Sequence, residues 1–184
     1  MVVDVSYNQM TIGEAAIDTM RQIDSIMHEA EMSITLEQYA YLQENGVVME
    51  SDSEGTMIQK VKEAINKMVR TVIDFFIGIK QKIDDAIDSA KDKIAARKAA
   101  KMLKDNLQED IDELKEEAEK AKNEAEKAEN PNMLKGILNG IKEKCNSVTK
   151  KMSNRVKKVN MEVLDTDDER IARGKITVAE VPAG

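Results

Sequence analysis

From Ile12 onward, apolar residues recur every three or four positions, the period of an amphipathic α-helix. Ile12, Ala16, Met20, Ile23, Met27 and Ala30 form the first such set. Thr11 and Glu14 make a capping box ahead of it, with the hydroxyl and the carboxylate each able to satisfy a backbone N–H of the first turn. A second box, Thr35 with Gln38, suggests a restart, and Gly46 suits a C-terminal cap. The pattern therefore predicts helices over about 12–32 and 36–45, preceded by a β-prone or extended lead over 2–10. Residues 46–56 read as an acidic linker, closed by a third box, Thr56 with Gln59.

The most amphipathic stretch follows. Ile58, Val61, Ile65, Met68, Val72, Phe76, Ile79, Ile83, Ala86, Ala90 and Ile94 fall three or four apart, with Lys and Arg on other faces. Only Gly78 weakens it, by roughly 1 kcal/mol relative to Ala. A helix to about residue 100 is expected. Leu103, Leu107, Ile111, Leu114, Ala118, Ala121, Ala125 and Ala128 then continue at a mean spacing near 3.5, a coiled-coil seam tapering from Leu to Ala. One rod over 57–129 and two helices bent near 95–105 both fit this pattern. Asn130-Pro131-Asn132 ends it, because proline disfavours helical backbone before itself and suits the first turn of the next helix. Leu134, Ile137 or Leu138, Ile141, Cys145, Val148, Met152, Val156 and Val159 make another seam over 133–160. Two helices of similar length joined by a short turn predict an antiparallel αα-hairpin over about 105–160. Leu107, Ile111, Leu114, Ile141, Cys145, Val148 and Met152 line its seam. Residues 161–184, with Lys175 to Val181 as the most β-prone run, read as an extended tail or β-hairpin suited to docking on a neighbour. The fold expected is all-α: an elongated, coiled-coil-like helical bundle with extended or β-prone termini.

Charge sharpens the hairpin. The 184 residues carry a net charge of −7, distributed in blocks. Residues 1–56 hold one basic and eleven acidic side chains, and 57–104 hold twelve and six. Residues 105–130 hold four and eleven, 131–160 eight and one, and 161–184 three and six. The two hairpin arms are thus oppositely charged, net −7 and +7. Each exposed pair contributes only about 0–1 kcal/mol, so charge selects the partner while the seam supplies stability. The chain reads as four regions: acidic helical 1–56, basic amphipathic 57–104, hairpin 105–160 and tail 161–184.

Composition removes function classes. A single Cys cannot form an internal disulfide, and one His with one Cys cannot build a His/Cys zinc site. Asp24, His28 and Glu31 share a helix face, but a carboxylate-bridged bundle site uses a Glu-x-x-His from each of two helices. A solvated face is the better reading of His28, and a small buried hydrophobe the better reading of Cys145. No Gly-rich phosphate loop or nucleophile elbow is present. The expectation is a non-enzyme without cofactor, metal or small-molecule substrate. No basic n-region with an apolar core stands at the N-terminus, and the apolar run Phe75 to Ile79 is far below the roughly 20 residues of a spanning helix. Gly136 and Gly140 make a G-x-x-x-G spacing among lysines, read as close approach of a facing helix.

Three partner classes remain. Ile65, Met68, Val72, Phe75, Phe76 and Ile79 could form a protein or membrane interface, with an ordinary bundle core as the competing reading. The basic helix 133–160 could contact DNA phosphates non-specifically, although it lacks stacking aromatics. Met10, Met20, Met27, Met32 and Met49 offer an adaptable protein-binding surface or a soft core. The acidic, Met- and Ala-rich helix EAAIDTMRQIDSIMHEAEMS, the linker VVMESDSEG and the basic amphipathic helix KVKEAINKMVRTVIDFFIGIKQKI follow in order over residues 14–83. This arrangement resembles small helical virion proteins of tailed bacteriophages that infect Firmicutes. The resemblance implies a minor or inner structural protein, made in the host cytoplasm and packaged in the virion or ejected with DNA. It implies protein partners or self-association and no catalytic residues. A membrane-active helical protein is the alternative reading, and a DNA-contacting packaging protein a further one.

Overall fold

A computed structural model describes residues 5–45, 51–89 and 93–171, with side-chain surroundings for 12–37, 56–88 and 94–157. The architecture is an all-α helical bundle of four helices, α1 (Val5–Asn45), α2 (Ser51–Ser89), α3 (Lys93–Glu126) and α4 (Pro131–Ile171), with no strand among the described residues. Every helix contributes one apolar stripe at helical spacing. Ile12, Ala16, Ile23, Met27, Ala30 and Ile34 are buried on α1, and Val61, Ile65, Met68, Val72, Phe76 and Ile79 on α2. Leu103, Leu107, Ile111, Leu114, Ala118, Ala121 and Ala125 are buried on α3, and Leu134, Leu138, Ile141, Cys145, Val148, Met152 and Val156 on α4. Removing such stripes from water is what stabilises helices in a bundle, at about 25 cal/mol per Å² of apolar surface.

The helices form two compact units, each with a segment of all four. Neither follows the charge blocks of the sequence. The unit of Met20–Val72 and Asp112–Ser147 shows its helix order through polar contacts. Asp24 lies 3.2 Å from the Lys142 ammonium, and Lys135 donates to the Thr35 hydroxyl at 3.0 Å, so α1 and α4 are antiparallel neighbours. Lys62 pairs with Glu126, and Lys122 donates to the Asn66 side-chain oxygen at 3.0 Å, so α2 and α3 are too. Lys60 pairs with Glu37 and links α1 to α2. In the unit of residues up to Thr19, Ile73–Ile111 and Val148 onward, Lys104 pairs with Asp84 across α2 and α3. There Asp110 meets Lys151 and Arg155, each at 3.1 Å, across α3 and α4.

The expected hairpin is present as α3 and α4. Its turn is built by local chemistry. Lys127 and Ala128 donate to the Glu124 and Ala125 carbonyls, tightening the last turn of α3. The Asn130 side-chain oxygen then accepts from the Met133 N–H at 3.0 Å, an N-cap, with Pro131 at the first helical position.

Several boundaries differ from the pattern reading. The expected break near 33–35 is absent, and α1 is one helix in which Thr11 and Thr35 are interior. A capping box is worth about 1 kcal/mol, whereas burial of Ile34 and the Lys135–Thr35 bond reward unbroken helix. Residues 5–10, expected as extended lead, are helical, and α2 starts at Ser51 inside the expected linker. The helix expected to run to about 100 ends at Ser89 and α3 begins at Lys93, so of the two alternatives for 57–129 the two-helix one is found, with the break before 95–105. Ile94 explains the misreading. The pattern put it on the seam, yet it is 84% exposed, and the α3 stripe starts afresh at Ala100. Residues 161–171, expected as tail, continue α4. Gly46 and the run Lys175 to Val181 lie outside the described residues.

Candidate functional site

The six side chains expected as a partner or membrane interface are core. Ile65, Met68 and Val72 are fully enclosed, and Phe75, Phe76 and Ile79 are buried. The stripe that could have faced a bilayer is covered by the other helices of the same chain, so it offers no surface in this packing. Lys80 places its ammonium 5.1 Å from the Phe76 ring centroid, a cation–π contact at the edge of that core. Among the described residues no helix is long and apolar enough to cross a membrane.

The seven hairpin-seam residues, Leu107, Ile111, Leu114, Ile141, Cys145, Val148 and Met152, are all buried. Burial pushes the Cys145 thiol up to about 12, so it is protonated and unreactive at neutral pH. His28 is exposed, and among the described residues no cluster of His, Cys, Asp or Glu can hold a metal ion. Gly136 and Gly140 point outward, and a Cβ added at either meets nothing within 4 Å. Among the described residues, no helix closely approaches the G-x-x-x-G face as the spacing led one to expect. Leu134 and Leu138 supply the buried face of that segment instead.

One polar cluster escaped the sequence reading. Asp110 is only 4% exposed, on the seam side of α3 one residue before Ile111. Lys151 and Arg155, one turn apart on α4, reach its two oxygens from the half-exposed edge. The Arg155 Nε–H is not aimed at the carboxylate, so this contact is an ion pair without a hydrogen bond. Its spacing from Leu107 and Leu114 is the signal that places Asp110 among inward positions. Elsewhere Lys62 holds the Glu126 carboxyl below the usual carboxylate range by hydrogen bonding and charge.

The second feature is a groove of about 190 Å³ between α1 and α2. Ala30, Ser33 and Ala64 line it with small side chains, together with Ile26. Glu29, Lys60, Glu63 and Lys67 stand around it with both signs of charge. Beside it on α1, Met32 and Leu36 are 50% and 62% exposed. They lie one turn apart, on one face of the helix. Comparison of the chain with protein-family models, curated proteins and solved structures gives no match.

Proposed function

We propose that this protein is a non-enzymatic structural subunit that works by packing against other proteins, copies of itself included. The observation that carries the reading is the α1–α2 surface. It combines a groove lined by small residues with two exposed apolar side chains one turn apart, Met32 and Leu36, while the buried stripe of each helix is spent in the chain's own core. Exposed apolar side chains beside a groove rimmed with charge have the make-up of an interaction site. A minor component of a tailed-phage virion is the specific setting proposed, supported by the order of acidic helix, linker and basic amphipathic helix over residues 14–83.

The competing readings ask more of the fold. Membrane action through α2 requires Phe75 and Phe76 to leave a core in which they are 7% and 5% exposed. DNA contact through α4 competes with acidic partners, because Lys142, Lys151 and Arg155 each lie within 3.2 Å of an aspartate.

Size-exclusion chromatography with light scattering on the full chain tests the assembly reading, together with cross-linking in lysate of the source cells. An oligomer, or a stable complex with a defined protein, is expected. A monomer at every concentration that captures no protein overturns it. Recovery of the chain in density-purified particles tests the virion setting, and its absence from them removes that setting.

A further inference from the structure

We infer that the α1–α2 face is a homodimer surface, on which Leu36 of each copy enters the groove of the other and Glu29 of each meets Lys67 of the other. The inference rests on the assembly reading and makes it specific: the partner is a second copy of this chain.

The levels along the helices support this. α1 is antiparallel to α4, α4 to α3 and α3 to α2, so α1 and α2 run antiparallel beside the groove, which takes residues 26–33 of α1 with 60–67 of α2, and Lys60 pairs with Glu37 near its end. At 1.5 Å per residue on both helices, Leu36 is level with residues 60–61 of α2, and Glu29 with residues 67–68. A two-fold axis parallel to the helices, passing over the groove, lays α1 of one copy on α2 of the other at the same level. Leu36, 62% exposed, then comes over the Lys60 and Ala64 side of the partner groove. The small side chains of Ala30, Ser33 and Ala64 leave room for it. Glu29 comes level with Lys67 of the other copy, and the symmetry makes each contact twice. Both residues are exposed and on the groove. Knob, hole and opposite charges thus occur on one face at matching heights, as an isologous interface requires.

The choice of a second copy over an unrelated partner comes from this self-complementarity. A groove with only acidic or only basic rims would ask for a partner of opposite charge. This rim carries Glu29 and Glu63 beside Lys60 and Lys67, so a copy rotated by two-fold symmetry supplies the complement.

The test uses the full chain and sedimentation equilibrium, with far-UV circular dichroism to show each variant folded. The wild type is expected to have twice the mass of one chain. Leu36→Asp is expected to weaken dimerisation about tenfold or more, because it buries a charge in the groove, with helicity unchanged. Glu29→Lys and Lys67→Glu each place like charges opposite one another and are expected to dimerise more weakly alone. Mixed together they are expected to restore a dimer, since every 29–67 contact then joins opposite charges. A wild-type oligomer unaffected by Leu36→Asp overturns this surface and leaves the assembly reading standing. So does a mixture that remains monomeric. A wild-type monomer overturns the surface, and the assembly reading then falls only if the chain also captures no other protein.

Discussion

The α3–α4 hairpin and the α1–α2 pair solve the same packing problem differently. Along α3 and α4 the inward positions are filled, and Asp110, the one buried charge among the described residues, is met by Lys151 and Arg155 at 3.1 Å. Along α1 and α2 near Ser33, small residues leave a groove of about 190 Å³, with Leu36 exposed beside it. Both pairs also leave single apolar side chains exposed, among them Ile94, Met102 and Met133 on α3 and α4, but on α1 the exposed Leu36 stands beside a groove. The difference teaches that surface available for a partner is best read from what a helix pair leaves unfilled, since the most amphipathic stripe among the described helices, on α2, is buried from Val61 to Ile83.

The largest expected effect comes from emptying the filled side. Leu114→Ala, at a position 1% exposed, should cost about 2–5 kcal/mol in urea unfolding through lost burial plus a cavity. A loss below about 1 kcal/mol would show that the hairpin is loosely packed and would erase the contrast with the groove.

Alkaline pH sharpens the same contrast. The Cys145 thiol ionises near 9 in an unfolded chain and near 12 in its buried place, so the folded state holds this proton more tightly. Its contribution is whole below pH 9 and is lost as pH rises from 9 toward 12. Stability of the wild type should therefore fall over that window more steeply than that of Cys145→Ala, by an amount on the order of a few kcal/mol. Parallel curves would place the thiol in contact with water.

Asp110→Ala should cost about 1–3 kcal/mol, toward the low end because Lys151 and Arg155 can regain water from their half-exposed edge. Reversing the ionic contact at the outer edge of α1 and α4 should matter less. Lys142→Ala removes the partner of Asp24 and is expected to change stability by about 0–1 kcal/mol, shrinking further in high salt. An Asp110 variant that unfolds no more readily than Lys142→Ala would make the buried and exposed pairs equivalent.

A further small effect has the opposite sign. Gly136→Ala and Gly140→Ala should each stabilise α4 by about 0.5–1 kcal/mol, because the backbone is helical and the added methyl meets no atom within 4 Å. Thermal melts of the two variants check this. Destabilisation, or loss of a native oligomer, would mean that the outer face of α4 is itself covered by a partner.

Legibility in the sequence followed the same division. The hairpin could be read because several local signals agree there: the Asn130-Pro131 turn, two seams and opposite charge blocks. The charges nonetheless pair more widely than the hairpin. Glu126 goes to Lys62 of α2, and Lys142 to Asp24 of α1, because in a bundle each helix has two neighbours. Elsewhere local signals misled. Thr35 looks like a cap and is interior to α1, and Ile94 looks like core and is the most exposed large apolar side chain among the described residues. A cap preference of about 1 kcal/mol yields to the burial of a whole turn.

What the sequence determined by itself was helix, stripe and turn. The spacing of its apolar residues requires amphipathic helices over most of residues 12–160, without fixing whether 57–129 is one or two, and Pro131 with Asn130 requires a break before the last, since these depend only on backbone geometry and local hydrogen bonding. Tertiary structure alone decided which faces meet. It put Phe75 and Phe76 inside, turned Gly136 and Gly140 outward, enclosed Asp110 between two cations and left the groove beside Leu36 open. The physical reason is that burial is a property of the neighbours a helix acquires, and a helical stripe records only that some neighbour is needed.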